Sequence, residues 1–183
     1  MLAEVVNKYL SLYPAERKGL KLLLQQLEDS ENLADRNNYR GHIAGSGAIF
    51  SPDLKKIILI YHPTFKRWMQ PGGHLEPDEA GPWITAARES AEETGVKFSR
   101  QLFKKDKRIP VLLESHLVPS KPPKNEPVHY HHAFWYGFVA ESEDIKIEDK
   151  VIKEVKWVAV DKVTDNNIQE VIRRLNPLLR LKA

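Results

Sequence analysis

Apolar residues at the start of the chain recur with the spacing of an amphipathic helix. The recurring positions are Leu2, Val5, Val6, Tyr9 and Leu10. The run "LKLLLQQL" continues a period of about 3.6 residues. This spacing predicts two helices within residues 2–29. Pro14 would lie in the first turn of the second helix, where proline is tolerated. The polar connector "EDSENLADRNNYRG" ends this helical part near Gly41.

Beyond Gly41 the pattern changes to short apolar runs rich in β-branched and aromatic residues. These runs, each bounded by turn residues, are 42–50, 56–62, 108–118, 131–140 and 155–160. They predict strands, with a hairpin turn at "SPD" (51–53). The segment 118–128 contains four prolines, so it predicts an extended loop that stays outside the sheet interior.

Two further helices are predicted among and after the strands. Pro82 suits a first helical turn and Gly95 the position after the last, which indicates a helix over 82–94. The segment "DNNIQEVIRRLNPLLRL" restores helical spacing after a capping Asp or Asn, with Pro177 kinking or ending the helix. The layout is a helical N-terminal extension (1–40), followed by one domain (41–183) that includes the C-terminal helix.

Composition narrows the class of protein. The chain has 183 residues, 42% hydrophobic and 29% charged, which suits one full-sized globular domain with an extension. It contains no cysteine, which excludes a disulfide framework, a thiolate zinc site and a cysteine nucleophile, and favours a reducing cytoplasm. We expect no signal peptide and no membrane span, because no apolar run approaches about 18 residues. The net charge of +3 is mild, and no clear RNA-binding element accompanies it, so we expect no nucleic-acid partner.

The helix predicted over 82–94 carries an unusual charge pattern. A helical projection places Glu89, Glu92 and Glu93 together on one side. The other side is apolar or small: Trp83, Ile84, Ala87, Ser90, Ala91 and Thr94. Like charges three and four residues apart cost about a few tenths of a kcal/mol per pair, and Arg88 offsets only part of this. Taken alone, the helix is equally compatible with a solvated acidic face and with a site for Mg²⁺, which prefers oxygen ligands.

The wider segment, "GGHLEPDEAGPWITAARESAEETG", resembles the Nudix box, whose pattern is G-x5-E-x7-R-E-U-x-E-E-x-G-U, with U a bulky apolar residue. The matching positions are Gly73, Glu79, Arg88, Glu89, Glu92, Glu93, Gly95 and Val96. Two features depart from the pattern. Eight residues instead of seven separate Glu79 from Arg88, and we expect the extra one in the loop at Ala80–Pro82. Ser90 stands where a bulky apolar residue is expected.

The resemblance to Nudix hydrolases covers about residues 41–165 and implies an α/β fold, an α/β/α sandwich with a mixed sheet. It implies hydrolysis of a diphosphate linkage in a nucleotide-type small molecule, by water attack on phosphorus with Mg²⁺ or Mn²⁺. The implied metal ligands are the Gly73 carbonyl, Glu89, Glu92 and Glu93. Arg88 would orient these carboxylates. Glu92 would be either a metal ligand or the partner of Arg88, and Glu79 would be a structural brace. The implied catalytic residues are thus Arg88, Glu89, Glu92 and Glu93.

Several points stay open at the level of sequence. The general base is either one of the box glutamates or a later residue such as Glu148 or Glu154. A non-enzymatic alternative is a Nudix-like nucleotide-binding module whose longer box has impaired the site. The isoprenoid isomerase that shares this fold is disfavoured, because that chemistry is associated with a catalytic cysteine. The helical N-terminus is a candidate element for a homodimer.

The remaining candidates are histidines, aromatic residues and two loop lysines. His129 and His131 would point to the same side of a strand, as in a zinc site. With no cysteine and no further clustered ligand nearby, we expect a structural or substrate-facing role for them. Trp68, Trp135 and Tyr136 could stack on a base, but we expect core positions. Lys121 and Lys124 could contact phosphate, although solvated lysines are the default.

Overall fold

The structure, a computed structural model, describes residues 2–103, 105–120, 126–147, 152 and 154–179. Three of the residues considered above, Lys121, Lys124 and Glu148, lie outside these ranges. No helix among the described residues is long and apolar enough to cross a membrane.

The described residues form one mixed sheet of eight strands. The strands are β1 (His42–Phe50), β2 (Lys56–His62), β3 (Arg67–Met69), β4 (Gly72–His74), β5 (Phe98–Leu102), β6 (Leu112–Val118), β7 (His129–Ala140) and β8 (Val155–Ala159). The main order is β3-β2-β1-β7-β5, with β4 also paired to β1, β6 to β7 and β8 to β2. The central strands β1 and β7 run parallel, whereas the other described pairs are antiparallel. The predicted α/β class with a mixed sheet is confirmed.

Two of the predicted strands, 42–50 and 56–62, have the observed bounds. The run 108–118 forms a strand only from Leu112, because Pro110 has no amide hydrogen for a sheet ladder and Arg108 binds Asp106 in a turn. Strand β7 begins at His129, earlier than predicted. The pattern did not predict β3, β4 and β5, which are too short or too polar to show alternation.

The helices are α1 (Leu2–Leu12), α2 (Lys21–Glu28), α3 (Pro82–Thr94) and α4 (Asn166–Leu179). Helix α3 has the predicted bounds, with Gly95 in the left-handed conformation after its last turn. Pro14 starts a short 3₁₀ helix (Pro14–Lys18) instead of α2, because the carboxylate of Glu16 is held by the hydroxyl of Tyr9 and the guanidinium of Arg174. The Asp165 carboxylate caps α4, and Pro177 lies within that helix instead of ending it.

Helices cover both faces of the sheet. One core lies between the sheet and the N-terminal helices together with α3, and it contains Val6, Tyr9, Ile43, Ala86 and Phe134. The other core lies under α4 and joins the opposite faces of β1 and β7 to that helix. The apolar side of α1 is buried inside the chain, in the first of these cores.

Helix α3 packs directly onto β1, which has no side chain at two contact points. A Cβ atom at Gly45 would lie 2.7 Å from the amide nitrogen of Ala86, and a Cβ atom at Gly47 would overlap the hydroxyl of Ser90. Ser90 is fully buried. A bulky apolar residue at that position would collide with β1, which explains the departure from the box pattern.

The buried side of α3 differs from the predicted one. Thr85, Ala86, Ser90 and Glu93 are buried, whereas Ile84 is 43% exposed and Ala91 is also exposed. The helical projection grouped the apolar residues correctly, but the helix is turned so that its smallest residues meet the glycines of β1. Glu93 consequently lies on the side that faces the sheet, and the expectation that all three glutamates oppose the packed face was wrong.

Candidate active site

Strand β4 and helix α3 bring the glycine and glutamate residues of the box together. The amide of Gly72 donates a hydrogen bond of 2.9 Å to the Glu93 carboxylate. The Glu89 carboxylate lies against Gly73, where a Cβ atom would overlap it. Glycine at position 73 is therefore required by the close approach of Glu89 to the backbone. The carboxylates of Glu89 and Glu93 supply oxygen atoms to this cradle, which is the ligand type that Mg²⁺ and Mn²⁺ prefer.

Arg88 connects the carboxylates of the box. Its guanidinium donates to Glu79 (2.9 Å), to Glu89 (2.8 Å) and to Glu92 (3.2 Å). It also donates to the backbone carbonyl of His74 at 3.2 Å. A planar guanidinium with several fixed donors suits this task better than a lysine would. The arginine thereby ties α3 to the end of β4 and fixes the orientation of Glu89.

Glu79 is held between the loop and the first turn of α3. Its carboxylate accepts hydrogen bonds from the amide of Glu76 (3.0 Å) and the hydroxyl of Thr85 (2.6 Å), in addition to Arg88. Helix α3 is regular from Pro82, so only Ala80 and Gly81 of the eight-residue spacer lie outside it. These contacts are those of a brace, and the longer spacer does not prevent them.

Glu92 is placed differently from the other two helix glutamates. Its side chain is 56% exposed and contacts Arg88, whereas Glu93 is buried. Among the described residues, the three glutamates do not form a group of converging ligand atoms. The cradle that fits a cation therefore consists of Glu89, Glu93 and the backbone around Gly73.

Burial and hydrogen bonding shift the pKa values of the box carboxyls in opposite directions. Burial raises the pKa of Glu89 above its ordinary value, although its contact with Arg88 counteracts the rise. Burial also acts to raise the pKa of Glu79, but the hydrogen bond from Arg88 and the other two donors outweigh it and lower the pKa. Glu79 thus carries a well-compensated charge, while Glu89 carries one that a cation would stabilise further.

A cavity of about 400 Å³ lies on the sheet face opposite α3 and begins at the same glycines. Its wall combines apolar side chains, backbone and polar groups. Representative residues are Phe65, Met69, Gln70, Leu117, Ser46 and Gly72. A second groove, lined by Arg36 and Glu76, reaches Glu89, and both openings share His74. The cavity also includes Gly72 and Gly73, so it adjoins the backbone against which the carboxylates lie.

Histidines form one end of the cavity. The ring centroids of His42 and His131 are 4.8 Å apart, and those of His42 and His74 are 5.0 Å apart. His129 contacts His131 through their Nε2 atoms at 3.1 Å, so the two rings lie on the same side of β7, as predicted. Burial lowers the pKa of His42, and burial together with the neighbouring imidazoles lowers that of His131 well below its usual range.

The expectation that no further ligand lies near His129 and His131 was wrong. His42 pairs directly with His131 across the parallel ladder of β1 and β7, and β4 brings His74 beside them. Sequence spacing gives no sign of this, because the residues are far apart along the chain. By contrast, Trp135 and Tyr136 are buried in the core as expected. Trp68 is half-buried on β3, with the Lys156 ammonium 3.7 Å above its ring.

Helical layers on both faces of a mixed sheet and arginine-linked glutamates on α3 are the arrangement that the resemblance to Nudix hydrolases implied. The model of the NUDIX domain matches residues 41–179, and the chain belongs to the NUDIX family.

The family match and the curated relative place the chain among the pyrophosphohydrolases, enzymes that act on phosphorus-containing acid anhydrides. Three known proteins resemble the chain over most of its length. It is 29% identical over 153 residues to the "Probable DHNTP pyrophosphohydrolase" of Lactococcus lactis subsp. cremoris (strain MG1363), covering 81% of this chain and 86% of that protein. A NUDIX-family hydrolase from Clostridium perfringens superposes with a TM-score of 0.55 at 19% identity, covering 77% of this chain and 99% of that one. The NUDIX domain of Shewanella oneidensis NrtR, solved with ADP ribose, gives a TM-score of 0.52 at 17% identity, covering 85% and 97%. At these identities the two structures establish the shared fold alone.

Proposed function

We propose that this chain hydrolyses a diphosphate linkage in a nucleotide-type small molecule with the help of Mg²⁺ or Mn²⁺. The observation that carries the proposal is the cradle in which Glu89 and Glu93 lie against the backbone of Gly72 and Gly73. Two carboxylates held this close to bare backbone, with one arginine nearby, form a site that oxygen-seeking divalent cations fit.

The residues proposed to hold the cation are Glu89, Glu93 and the carbonyl of Gly73, with Glu92 available from the exposed side of α3. When bound, the cation would neutralise the diphosphate and lower the pKa of a coordinated water. The oxygen of the attacking water forms a bond to phosphorus while the bridging P–O bond breaks.

The protein's own contribution is positioning. Arg88 holds Glu89 through a direct hydrogen bond, and Glu79 in turn holds Arg88. The group that accepts the proton of the attacking water is a glutamate of the box or a residue beyond it. Of the two later candidates, Glu154 is exposed just before β8, and Glu148 is outside the described residues.

The cavity supports a substrate with a planar or apolar group attached to its phosphates. Phe65, Met69 and Leu117 supply apolar surface, while Ser46 and Gln70 supply polar contacts. The relative from Lactococcus lactis is named for DHNTP, and the NrtR domain was solved with ADP ribose. Both names describe a ring system joined to phosphates, and we propose the same class of ligand here. The absence of cysteine supports a reducing compartment such as the cytoplasm.

A substrate screen tests this function. Phosphate or pyrophosphate release is measured with Mg²⁺ over DHNTP, ADP-ribose, nucleoside diphosphate sugars, dinucleoside polyphosphates and nucleoside triphosphates. We expect turnover of at least one compound, with ¹⁸O from labelled water appearing in a phosphate product. Tight binding of a compound without turnover of any would contradict hydrolysis and favour a binding module.

A further inference from the structure

Three neighbouring strands place histidines side by side at the end of the cavity. His42 on β1 is the ladder partner of His131 on β7, and His74 on β4 lies next to Ala44, two residues along from His42. One nitrogen from each of these three rings lies within 4.8 Å of the other two. Among the described residues, this is the group of three potential metal ligands whose ligand atoms converge.

The Nε2 atom of His42 is a buried polar atom without a hydrogen-bond partner among the residues that the structure describes. The residue is only 2% exposed, and its Nδ1 atom is 3.2 Å from the carbonyl oxygen of Asn38. Because a carbonyl accepts hydrogen bonds, Nδ1 carries the proton and Nε2 presents a lone pair to the cluster. Because a buried acceptor left unpaired destabilises the folded protein, this lone pair indicates a missing ligand.

The contact between His42 and Asn38 is the one that metal-binding histidines typically make. In such sites, the ring nitrogen that does not bind the metal donates to a backbone carbonyl or a carboxylate, which fixes the tautomer. His129, the neighbour of the cluster, has the same arrangement, since its Nδ1 atom is 2.7 Å from the carbonyl oxygen of Pro127.

Imidazole nitrogens select a different kind of ion from the glutamate cradle. They favour Zn²⁺ and related transition-metal ions, whereas carboxylates and carbonyls favour Mg²⁺ and Mn²⁺. Bonds of about 2.0–2.1 Å in a tetrahedral Zn²⁺ site separate two ligand nitrogens by about 3.4 Å. Ring movements on the order of 1 Å would bring the three nitrogens to such distances.

We propose that His42, His74 and His131 form a second metal site, specific for Zn²⁺ or a similar transition-metal ion and separate from the glutamate cradle. Three protein ligands leave a coordination position for water or substrate. His74 and His131 line the cavity, so this position would face the bound molecule. The ion would then contact an oxygen or nitrogen atom of the substrate at the end of the cavity.

Metal binding can be measured without any assay of turnover. The purified protein is dialysed against Zn²⁺ in the presence of excess Mg²⁺, and bound zinc is quantified by mass spectrometry. We expect one tightly bound Zn²⁺ per chain that Mg²⁺ does not displace. His42→Gln, His74→Ala and His131→Ala should each weaken Zn²⁺ binding by at least about tenfold, since even indirect supports of a metal site cost that much when removed.

Two variants serve as matched controls. His62→Ala removes another histidine that lines the cavity but does not belong to the cluster, and it should retain Zn²⁺. Glu93→Gln alters the cradle and should also retain it. Loss of Zn²⁺ in either control, with retention in the three cluster variants, would overturn the proposal, as would a wild-type protein that binds no Zn²⁺.

A measurement on the wild-type protein covers the case in which a cluster variant fails to fold. Cu²⁺ is bound in place of Zn²⁺, and its electron paramagnetic resonance spectrum is recorded. Coupling of the copper signal to several imidazole nitrogens is expected, while a spectrum with oxygen ligands alone would contradict the assignment. Failure of the substrate screen leaves this result unaffected, so the two proposals are tested separately.

Discussion

At the contact between α3 and β1, single atoms determine which side chains fit. The hydroxyl of Ser90 is buried against Gly47 and has no hydrogen-bond partner within the described part of the chain. The residue is small because the backbone of β1 passes directly beside it. The hydroxyl fills the space beside Gly47, but burial of an unpaired polar group is costly.

Ser90→Ala should therefore stabilise the protein. Removal of the unpaired hydroxyl relieves a penalty of about 1 kcal/mol, and alanine also has a higher helix propensity. Urea unfolding followed by circular dichroism measures the change. An equal or lower free energy of unfolding in the variant would show that the hydroxyl has a partner in solution.

Gly73→Ala should impair activity more than it affects folding. The added Cβ atom would displace the Glu89 carboxylate from its place against the backbone, so turnover with Mg²⁺ should fall by about 100-fold or more, as misplacement of about 1 Å can cause. Gly19→Ala is the matched control, because its Cβ atom would make only an ordinary contact of 3.6 Å. Full activity of Gly73→Ala would show that the position of Glu89 does not matter for hydrolysis.

At the level of secondary-structure elements, the packing of α3 against β1 determines the direction of the glutamate side chains. The bounds of α3 could be predicted from Pro82 and Gly95, because proline has a fixed φ that suits a first helical turn and glycine tolerates the left-handed conformation after the last turn. The rotation of α3 about its own axis could not be predicted. The side of the helix that is buried depends on the glycines of β1, which belong to another part of the chain. Glu93 faces the sheet for this reason.

A double-mutant cycle tests the contact between the two elements. Gly47→Ala should destabilise the protein by about 1–3 kcal/mol, the range for overpacking a well-filled core. In the Ser90→Ala background the same change should cost at least about 1 kcal/mol less, because the clashing hydroxyl is absent. Additive effects of the two substitutions would indicate that α3 does not pack on β1 as described.

Across the whole molecule, a polar network joins the N-terminal helices to α4. The Tyr9 hydroxyl accepts hydrogen bonds from the Leu113 amide (3.0 Å) and the Arg174 guanidinium (2.9 Å). Arg174 also binds Glu16 and Glu170. The N-terminal extension is therefore anchored to the rest of the chain by its apolar side and by this network.

The network predicts a dependence of stability on pH. Hydrogen bonds from Arg173 and Arg174 lower the folded-state pKa of Glu170 from 4.5 to about 2. A lowered carboxyl pKa stabilises the fold above the unfolded-state pKa, and that stabilisation is lost as the pH falls towards the folded-state value. Glu170→Gln should thus cost about 1 kcal/mol at pH 7, and the difference from wild type should shrink below about pH 4.5.

Urea unfolding at a series of pH values measures this difference. Glu28→Gln, at an exposed carboxylate of α2, is the control and should follow the wild type throughout. A constant difference between Glu170→Gln and wild type from pH 7 to pH 3 would mean that the Glu170 carboxylate does not interact with the arginines.

The fold class and the bounds of the central helix could be predicted from the sequence, because they depend on local patterns and on the residues of the box. The proximity of Gly73 and Glu89 was also predicted, whereas the separate positions of Glu92 and Glu93 were not. The histidine cluster could not be read in the same way. His42, His74 and His131 meet only because β1 pairs in parallel with β7 and antiparallel with β4, and no local pattern specifies those pairings. The hydrophobic pattern did not show the short strands β3 and β4 for a related reason, since these strands are defined by their pairing with β2 and β1 more than by their own residues.

The central claim is that Glu89 and Glu93 support a divalent cation in the hydrolysis of a diphosphate linkage. It is tested most directly by the rate of Mg²⁺-dependent hydrolysis of the best substrate by wild type, Glu93→Gln and the control Glu28→Gln. The account predicts a loss of about 100-fold or more in kcat for Glu93→Gln, no loss for Glu28→Gln, and no turnover of wild type with chelator. Turnover that is unaffected by both Glu93→Gln and chelator would contradict it.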